Sequence, residues 1–225
     1  MGKKENLEIS LIETLTDDSL EFSGEIVELT IDQFIDNGLL KDIPFFSVFY
    51  KSLKTVQGIR DALFAMKIYK FIKEFNEIKN NEKNNFIVKI SSNTKERIKV
   101  GQTLIMILEK IDELEKTQMI AKVFAAYLKE EINRSEFSQI CSIIEKSFID
   151  DLYSFVKMEK YDDISIEVQS SLSSLGLMIP IIQDLKSMYG ESVIIENNRN
   201  MIVYVTSKIG IKIRKCLKNP VANNV

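Results

Sequence analysis

Apolar residues recur at spacings of three and four over most of this chain, which is the pattern of one face of an α-helix. The clearest example is GLLKDIPFFSVFYKSLKTVQGIRDALFAMKIYKFIKEF, residues 38 to 75. Pro44 suits the first turn of a helix, because the N–H that it lacks would have no partner there. One helix is therefore predicted from Phe45 to Phe75. Its predicted buried residues include Phe46, Phe49, Leu63 and Phe71.

The same helix carries a basic second face, with a lysine or arginine about once per turn. A membrane-spanning helix needs about 20 predominantly apolar residues, so this helix is not expected to cross a bilayer unaided. Amphipathic helices of this kind either pack in a core or lie against a membrane surface or a partner. We expect a mixture, with the second half buried and the Pro44 end partly exposed. The candidate interaction residues are Phe45, Phe46, Phe49, Tyr50, Lys51 and Lys54.

Further helices are predicted up to about residue 157. The polar EIKNNEKNNF, residues 77 to 86, is expected to form a loop, since asparagine side chains compete for backbone hydrogen bonds. Asn133 lies three residues before Glu136, which is the spacing of a capping box at a helix start. The middle of the chain therefore favours a helical bundle.

The last third has a different pattern. IEVQSSLSSLGLM predicts a helix that ends at Gly176, and PIIQDLKSMYG predicts a further short helix. The β-branched runs ESVIIE and MIVYV flank NNRN, which predicts a hairpin near residues 192 to 205. A final helix is expected to start at a Thr206 cap. The predicted fold is mainly α: a helical bundle over residues 1–160 and a winged-helix-like unit with one β-hairpin over residues 161–225.

The amino-acid composition indicates the class of protein and the kinds of partner to expect. The chain has 225 residues, 45% of them hydrophobic and 28% charged, which predicts a folded globular protein. A net charge of −3 gives no general attraction to nucleic acid. No apolar run follows the first residues, so a secretory signal is not expected. Cys141 and Cys216 lie in no metal motif and are expected to be buried.

The sequence lacks the residues and motifs of the common enzyme classes. There is no histidine, which removes the commonest general base and every Ser-His or Cys-His nucleophile. Neither G-x-G-x-x-G nor a P-loop motif occurs. The paired aspartates at 17–18, 150–151 and 162–163 suit helix starts and turns, because carboxylates are favoured near helix N-termini. We expect no enzyme, no cofactor and no metal site.

Two resemblances add to these expectations. SSLGLM and YVTSKIGIKI, within residues 165 to 217, resemble the ending of many winged-helix domains. GLLKDIP followed by RDALF, together with the helical sequence over most of residues 34 to 155, resembles an uncharacterised family of bacterial and prophage-borne helical proteins. The second resemblance implies no known reaction and suggests a mobile-element or phage-defence setting.

A winged-helix unit invites a role in binding DNA. Basic residues gather on the final helix and at the predicted hairpin tip. They are Arg199, Lys208, Lys212, Arg214, Lys215 and Lys218. A DNA reader should also carry polar and basic side chains on the helix before the wing. There the sequence offers only Gln183 and Lys186 beside Asp184, so DNA binding is the alternative and not the main prediction.

The sequence predicts a non-enzymatic binding protein of bacterial or phage origin. A protein partner is expected, a membrane surface is the other option, and nucleic acid is disfavoured. Homo-oligomerisation is left open. The expected location is the cytoplasm, with the inner face of the membrane as the alternative.

Overall fold

Helices form most of the described chain, and a two-stranded antiparallel sheet lies near its C-terminal end. The computed structural model describes residues 6–17, 19–20, 38–52, 59–78, 93–184 and 200–218. The predicted class, a mainly helical protein with one β-hairpin, is confirmed. The chain separates into two compact units, Met1–Glu131 and Ile132–Val225. The predicted domain boundary after residue 160 therefore falls inside the second unit.

Five described α-helices pack together in the N-terminal unit. Its described helices are α1 (Leu7–Thr16), α2 (Pro44–Ser52), α3 (Ile59–Ile78), α4 (Thr94–Lys110) and α5 (Leu114–Leu128). Helix α3 packs along α5, and α1 contacts α2 and α4. The buried Phe124 ring of α5 lies 5.9 Å from the ring of Phe71 and 5.4 Å from that of Phe75, measured between centroids. Aromatic burial of this extent supplies much of the stability of a core.

The helix predicted from Phe45 to Phe75 is described as α2 and α3, and residues 53–58 between them lie outside the described residues. Phe71 is buried as predicted, whereas Leu63 is only half-buried. The lysines of α3 at positions 67, 70 and 73 are half-exposed. This half of the predicted helix is therefore a core element with a basic outer face.

The C-terminal unit combines helices with the hairpin. Its elements are α6 (Arg134–Lys146), α7 (Ile149–Lys157), α8 (Ile166–Ser174), β1 (Met178–Asp184), β2 (Asn200–Thr206) and α9 (Lys208–Lys218). The strands are in register from Met178 opposite Thr206 to Asp184 opposite Asn200. Helix α8 contacts α7 and β1, and α9 contacts α6 and α7. The predicted capping box of α6 is confirmed by reciprocal 3.0 Å hydrogen bonds between Asn133 and Glu136.

The first strand of the hairpin corrects the sequence analysis. Residues 180–184 belong to β1, whereas the pattern PIIQDLKSMYG predicted a helix there. The β-branched isoleucines at positions 179, 181 and 182 favour a strand, and Pro180 was misread as a helix start. Proline is tolerated in edge strands, and Pro180 lies opposite Tyr204 in the sheet. The second strand agrees with MIVYV, and the ESVIIE run lies outside the described residues.

The end of α8 was predicted correctly. Gly176 has a φ of +79°, a left-handed conformation that glycine adopts without steric cost. Its N–H donates to the Ser173 carbonyl, and the Leu177 N–H donates to the Leu172 carbonyl, both at 2.9 Å. These two bonds form a Schellman motif, which satisfies carbonyls that the end of a helix leaves free.

A close backbone junction joins the end of α8 to the start of α9. The Leu177 carbonyl accepts a 2.9 Å hydrogen bond from the Ser207 N–H. The Ser207 hydroxyl donates to the Gly176 carbonyl at 2.6 Å and accepts from the Gly210 N–H at 3.0 Å. Ser207 is therefore the residue that caps α9, and the predicted cap at Thr206 is wrong, because Thr206 is the last residue of β2.

Replacement of Gly210 by alanine is expected to destabilise the protein. Helix propensity alone favours alanine by about 1 kcal/mol. The added Cβ, however, would lie 2.3 Å from the Leu177 carbonyl oxygen. Overpacking costs about 1–3 kcal/mol, and here the neighbour is backbone that cannot rotate away, so the clash should outweigh the propensity gain. Urea unfolding measures the difference.

Lys208→Ala is the matched control, since Lys208 is exposed on the same helix. Its free energy of unfolding should stay close to that of the parent. A Gly210→Ala protein that is more stable than the parent would contradict the close approach of α9 to Leu177.

Candidate functional site

The aromatic segment that the sequence proposed as an interaction surface is part of the core of the N-terminal unit. Phe45 and Phe46 are fully buried, and Phe49 is 5% exposed. The expectation of a partly exposed Pro44 end is therefore wrong for these three rings. Tyr50 is half-buried and Lys51 is exposed, whereas Lys54 lies outside the described residues.

Ring contacts within α2, a ring contact with α3 and a bond to α1 hold this segment in the core. The Phe46 ring lies 6.4 Å from the Tyr69 ring of α3, measured between centroids. The Phe45 ring meets the Phe46 ring edge to face at 5.4 Å and stacks on Phe49 at 5.8 Å, measured between centroids. The Phe45 N–H donates to the Thr14 hydroxyl at 3.0 Å, so the first turn of α2 is bonded to α1. The sequence contained no local signal of this bond, because its two partners are 31 positions apart.

The hairpin of the C-terminal unit exposes apolar side chains on both of its faces. Successive residues of a strand point to opposite faces, and directly paired residues share a face. Ile182 and Ile202 form a cross-strand pair and are 71% and 54% exposed. Ile179 and Ile181 lie on the other face and are 48% and 44% exposed. The sequence analysis missed this surface, because it placed residues 180–184 in a helix.

The basic residues of α9 divide into two groups. Lys212 forms an ion pair with Glu136, which holds the pKa of that carboxyl below its usual range. Arg214 donates to the Met158 carbonyl, and its guanidinium lies 5.8 Å from the centroid of the Phe155 ring. Lys208 and Lys215 are exposed. Arg199 lies outside the described residues. Two residues of the predicted nucleic-acid set, Lys212 and Arg214, therefore already contact other groups of the C-terminal unit.

The helix that precedes the hairpin is α8. Its side chains show whether it could contact the phosphates and bases of DNA. The sequence of α8 is IEVQSSLSS, which contains no lysine or arginine and one acidic residue, Glu167. Gln169 is buried and donates to the Ile164 carbonyl at 2.9 Å. Helices that read the major groove present cationic and amide side chains to phosphates and base edges. Of the two residues proposed for that role, Gln183 is in β1, and Lys186 lies outside the described residues.

Several titratable groups of the described chain have structural contacts. In the described residues there is no group of three or more acidic, cysteine or histidine residues placed to bind a metal ion. Both cysteines are buried as predicted, and burial raises the pKa of the Cys141 thiol, which disfavours the nucleophilic thiolate. Asp163 accepts the N–H groups of Glu159 and Lys160 at 2.7 and 2.8 Å, and these bonds lower its pKa.

Lys116 is a buried lysine at the start of α5. Its ammonium lies 2.7 Å from Asp112 and 3.1 Å from Glu113. Burial acts to lower the pKa of Lys116, but the hydrogen bonds to the two carboxylates outweigh that effect, and the pKa is raised. Lys116 therefore stays protonated at neutral pH, unlike a lysine that serves as a base or nucleophile.

Comparison with known proteins identifies no family or function for this chain. No protein-family profile, curated protein or solved structure matches this chain. None of the helices in the described part of the chain is both long enough and apolar enough to cross a bilayer.

Truncation of a buried ring tests the core position of the aromatic segment. Phe46→Ala should lower the free energy of unfolding by about 3–5 kcal/mol, because it removes apolar burial and leaves a cavity. Tyr50→Phe is the matched control on the same helix. The Tyr50 hydroxyl is buried without a hydrogen-bond partner among the described residues, so its removal should be neutral or stabilising. Thermal and urea unfolding measure both variants.

The double variant Phe45→Ser with Phe46→Ser separates core packing from membrane binding. A large loss of stability is expected, with no flotation of the parent protein on anionic liposomes. Flotation of the parent, combined with an unchanged melting temperature in the double variant, would instead assign these rings to a membrane surface.

Binding to duplex DNA is expected to be weak and insensitive to sequence. The exposed cations of α9 can contact phosphates, whereas α8 has no cation to contribute. Such binding depends on counterion release and should fall steeply between about 50 and about 200 mM salt. Gel shifts that show sequence-selective, nanomolar binding at physiological salt would contradict this expectation.

Proposed function

We propose that this chain is a non-enzymatic binding protein that docks an extended segment of a protein partner on the hairpin of its C-terminal unit. The observation that carries the proposal is the exposure of Ile179, Ile181, Ile182 and Ile202 on one small sheet. Single exposed apolar residues are common on protein surfaces, but here each face of the sheet carries two neighbouring exposed isoleucines, and apolar patches mark interaction sites. The hairpin is therefore the favoured docking surface.

The strand edges favour a protein over a lipid surface. Among the described residues, β1 and β2 pair only with each other, so each strand has an edge whose backbone groups bond to no other strand. An extended peptide can add to such an edge through main-chain hydrogen bonds and place alternate side chains beside the isoleucines. A bilayer cannot supply donors and acceptors at the spacing of a strand.

Charge near the hairpin indicates the chemistry of the partner. Only Ser207 separates β2 from α9, and α9 carries five basic residues and no acidic one. Electrostatic complementarity therefore favours a partner segment in which acidic residues accompany apolar ones. A second copy of this chain would bring the same cations into the same region, so self-association is the less favoured arrangement.

The biological setting is part of the proposal. The GLLKDIP and RDALF sequences support a bacterial or prophage origin, and a phage-defence role is the setting that this resemblance suggests. A cytoplasmic location, at or away from the inner membrane face, accompanies it. Support for a non-enzymatic role comes from the absence of histidine in the sequence and from the structural roles of Lys116 and Asp163. Genes that neighbour this one would test the setting directly.

The double variant Ile182→Ser with Ile202→Ser tests the docking surface. A partner captured by the tagged parent is purified and titrated against the parent and the variant. We expect at least a tenfold loss of affinity, about 1.4 kcal/mol, because the cross-strand apolar pair is removed. The melting temperature should change little, since both side chains are exposed.

Ile59→Ser is the matched control, because Ile59 is 68% exposed in the N-terminal unit. It should bind like the parent. Unchanged affinity in the double variant would overturn the proposal. The proposal would also be overturned if light scattering showed a dimer for the parent and a monomer for the double variant, because the hairpin would then serve self-association. Flotation of the parent on anionic vesicles that is lost in the double variant would overturn it as well.

A further inference from the structure

A basic surface depression lies in the C-terminal unit, apart from the exposed isoleucines of the hairpin. Its volume is about 300 Å³, and the described residues that line it are Tyr161, Thr206, Ile211, Arg214, Lys215 and Lys218. Three of these residues are cationic and none is acidic. We propose that this depression binds a small anionic ligand in which a phosphate monoester is attached to an apolar or aromatic group.

Arg214 is held in position for such a ligand. Its Nη2 donates to the Met158 carbonyl, and its guanidinium lies 5.8 Å from the centroid of the Phe155 ring. These contacts fix the plane of the guanidinium, so little side-chain entropy remains to be lost on binding. Nη1 makes no hydrogen bond to any described residue and is the nitrogen that meets the phosphate.

Two polar atoms in the wall of the depression have no partner in the described chain. The Thr206 hydroxyl and the Arg214 Nε are buried without a hydrogen bond. A buried donor without an acceptor is unfavourable. As part of the proposal, Thr206 changes its χ1 rotamer on binding so that its hydroxyl donates to a phosphate oxygen. The ligand thereby satisfies a donor that the protein itself leaves unpaired.

The charge of the depression fits a dianion. Arg214 and Lys218 are four residues apart on α9, and like charges at this spacing repel each other. The C-terminal end of a helix favours cations, which accounts for Lys215 and Lys218 in the last turn, and Arg214 is held by Met158 and Phe155. A phosphate monoester carries a charge of about −1.5 to −2 at pH 7 and so compensates the cluster.

The remaining walls are apolar and favour more than a bare phosphate. Tyr161 and Ile211 are large side chains that are 46% and 59% exposed. An aromatic or apolar group attached to the phosphate covers both of them and removes their surface from water. A volume of about 300 Å³ is at the lower limit of small-molecule sites and suits a ligand with one ring or a short chain beside its phosphate.

Phenyl phosphate and inorganic phosphate are the probes of this site. Chemical-shift changes of the full-length protein should saturate with phenyl phosphate and reach half-saturation at a lower concentration than with inorganic phosphate. Phenol, which lacks the phosphate, should produce no saturable change. Lys218→Gln should weaken phenyl phosphate binding about tenfold or more, since a hydrogen bond to a charged group is lost.

Thr206→Val and Lys208→Gln complete the test. Thr206→Val keeps the shape of the side chain, so the melting temperature should be retained or raised while affinity for phenyl phosphate falls. Lys208 is exposed on the same helix but does not line the depression, and Lys208→Gln should bind like the parent. The proposal is overturned if no probe saturates, or if Lys208→Gln loses as much affinity as Lys218→Gln. It is also overturned if the protein floats on phosphatidylglycerol vesicles without binding phenyl phosphate.

Discussion

The arrangement of the C-terminal unit depends on one buried residue, Leu177. Its N–H completes the Schellman motif of α8, and its carbonyl accepts the Ser207 N–H that leads into α9. Gly210 allows α9 to approach that carbonyl, because any Cβ at this position would overlap it. Backbone groups buried in this way must be paired, so the end of one helix, both strand ends and the start of the last helix are fixed together. The exposed hairpin and the basic depression both take their positions from this junction.

In the N-terminal unit, too, a glycine allows close backbone contact between two elements. A Cβ at Gly101 in α4 would lie 2.2 Å from the Glu8 carbonyl oxygen of α1, so these two helices also meet backbone to backbone. Glycine inside a helix lowers its intrinsic stability by about 1 kcal/mol. That cost is offset by the closer packing that the missing side chain permits. In a chain with only eight glycines, two of the helical ones serve as contact points between elements.

Local signals predicted the parts of the fold that local physics determines. The Asn133 capping box, the Gly176 helix end and the second strand follow from a few adjacent residues, and all three are confirmed.

The incorrect predictions concern residues whose contacts are distant in the sequence. Phe45 and Phe46 were taken for an exposed end because their partners are distant in sequence: the Phe45 N–H binds Thr14 of α1, and the Phe46 ring contacts Tyr69 of α3. Pro180 was read as a helix start, since a proline after an apolar run fits both a helix and an edge strand. The basic depression combines residues from positions 161 to 218, so no sequence window contained it.

Pro180 gives the two edges of the hairpin different capacities. Proline has no N–H, and in sheets it is found where that missing donor would face outward from an edge strand. The row of donors along β1 is therefore interrupted at Pro180, whereas the described part of β2 contains no proline. Under the proposed docking role, a partner strand meets an N–H at every position of β2 but lacks one donor at Pro180 on β1. Among the described residues, β2 is therefore the edge better suited to accept a strand.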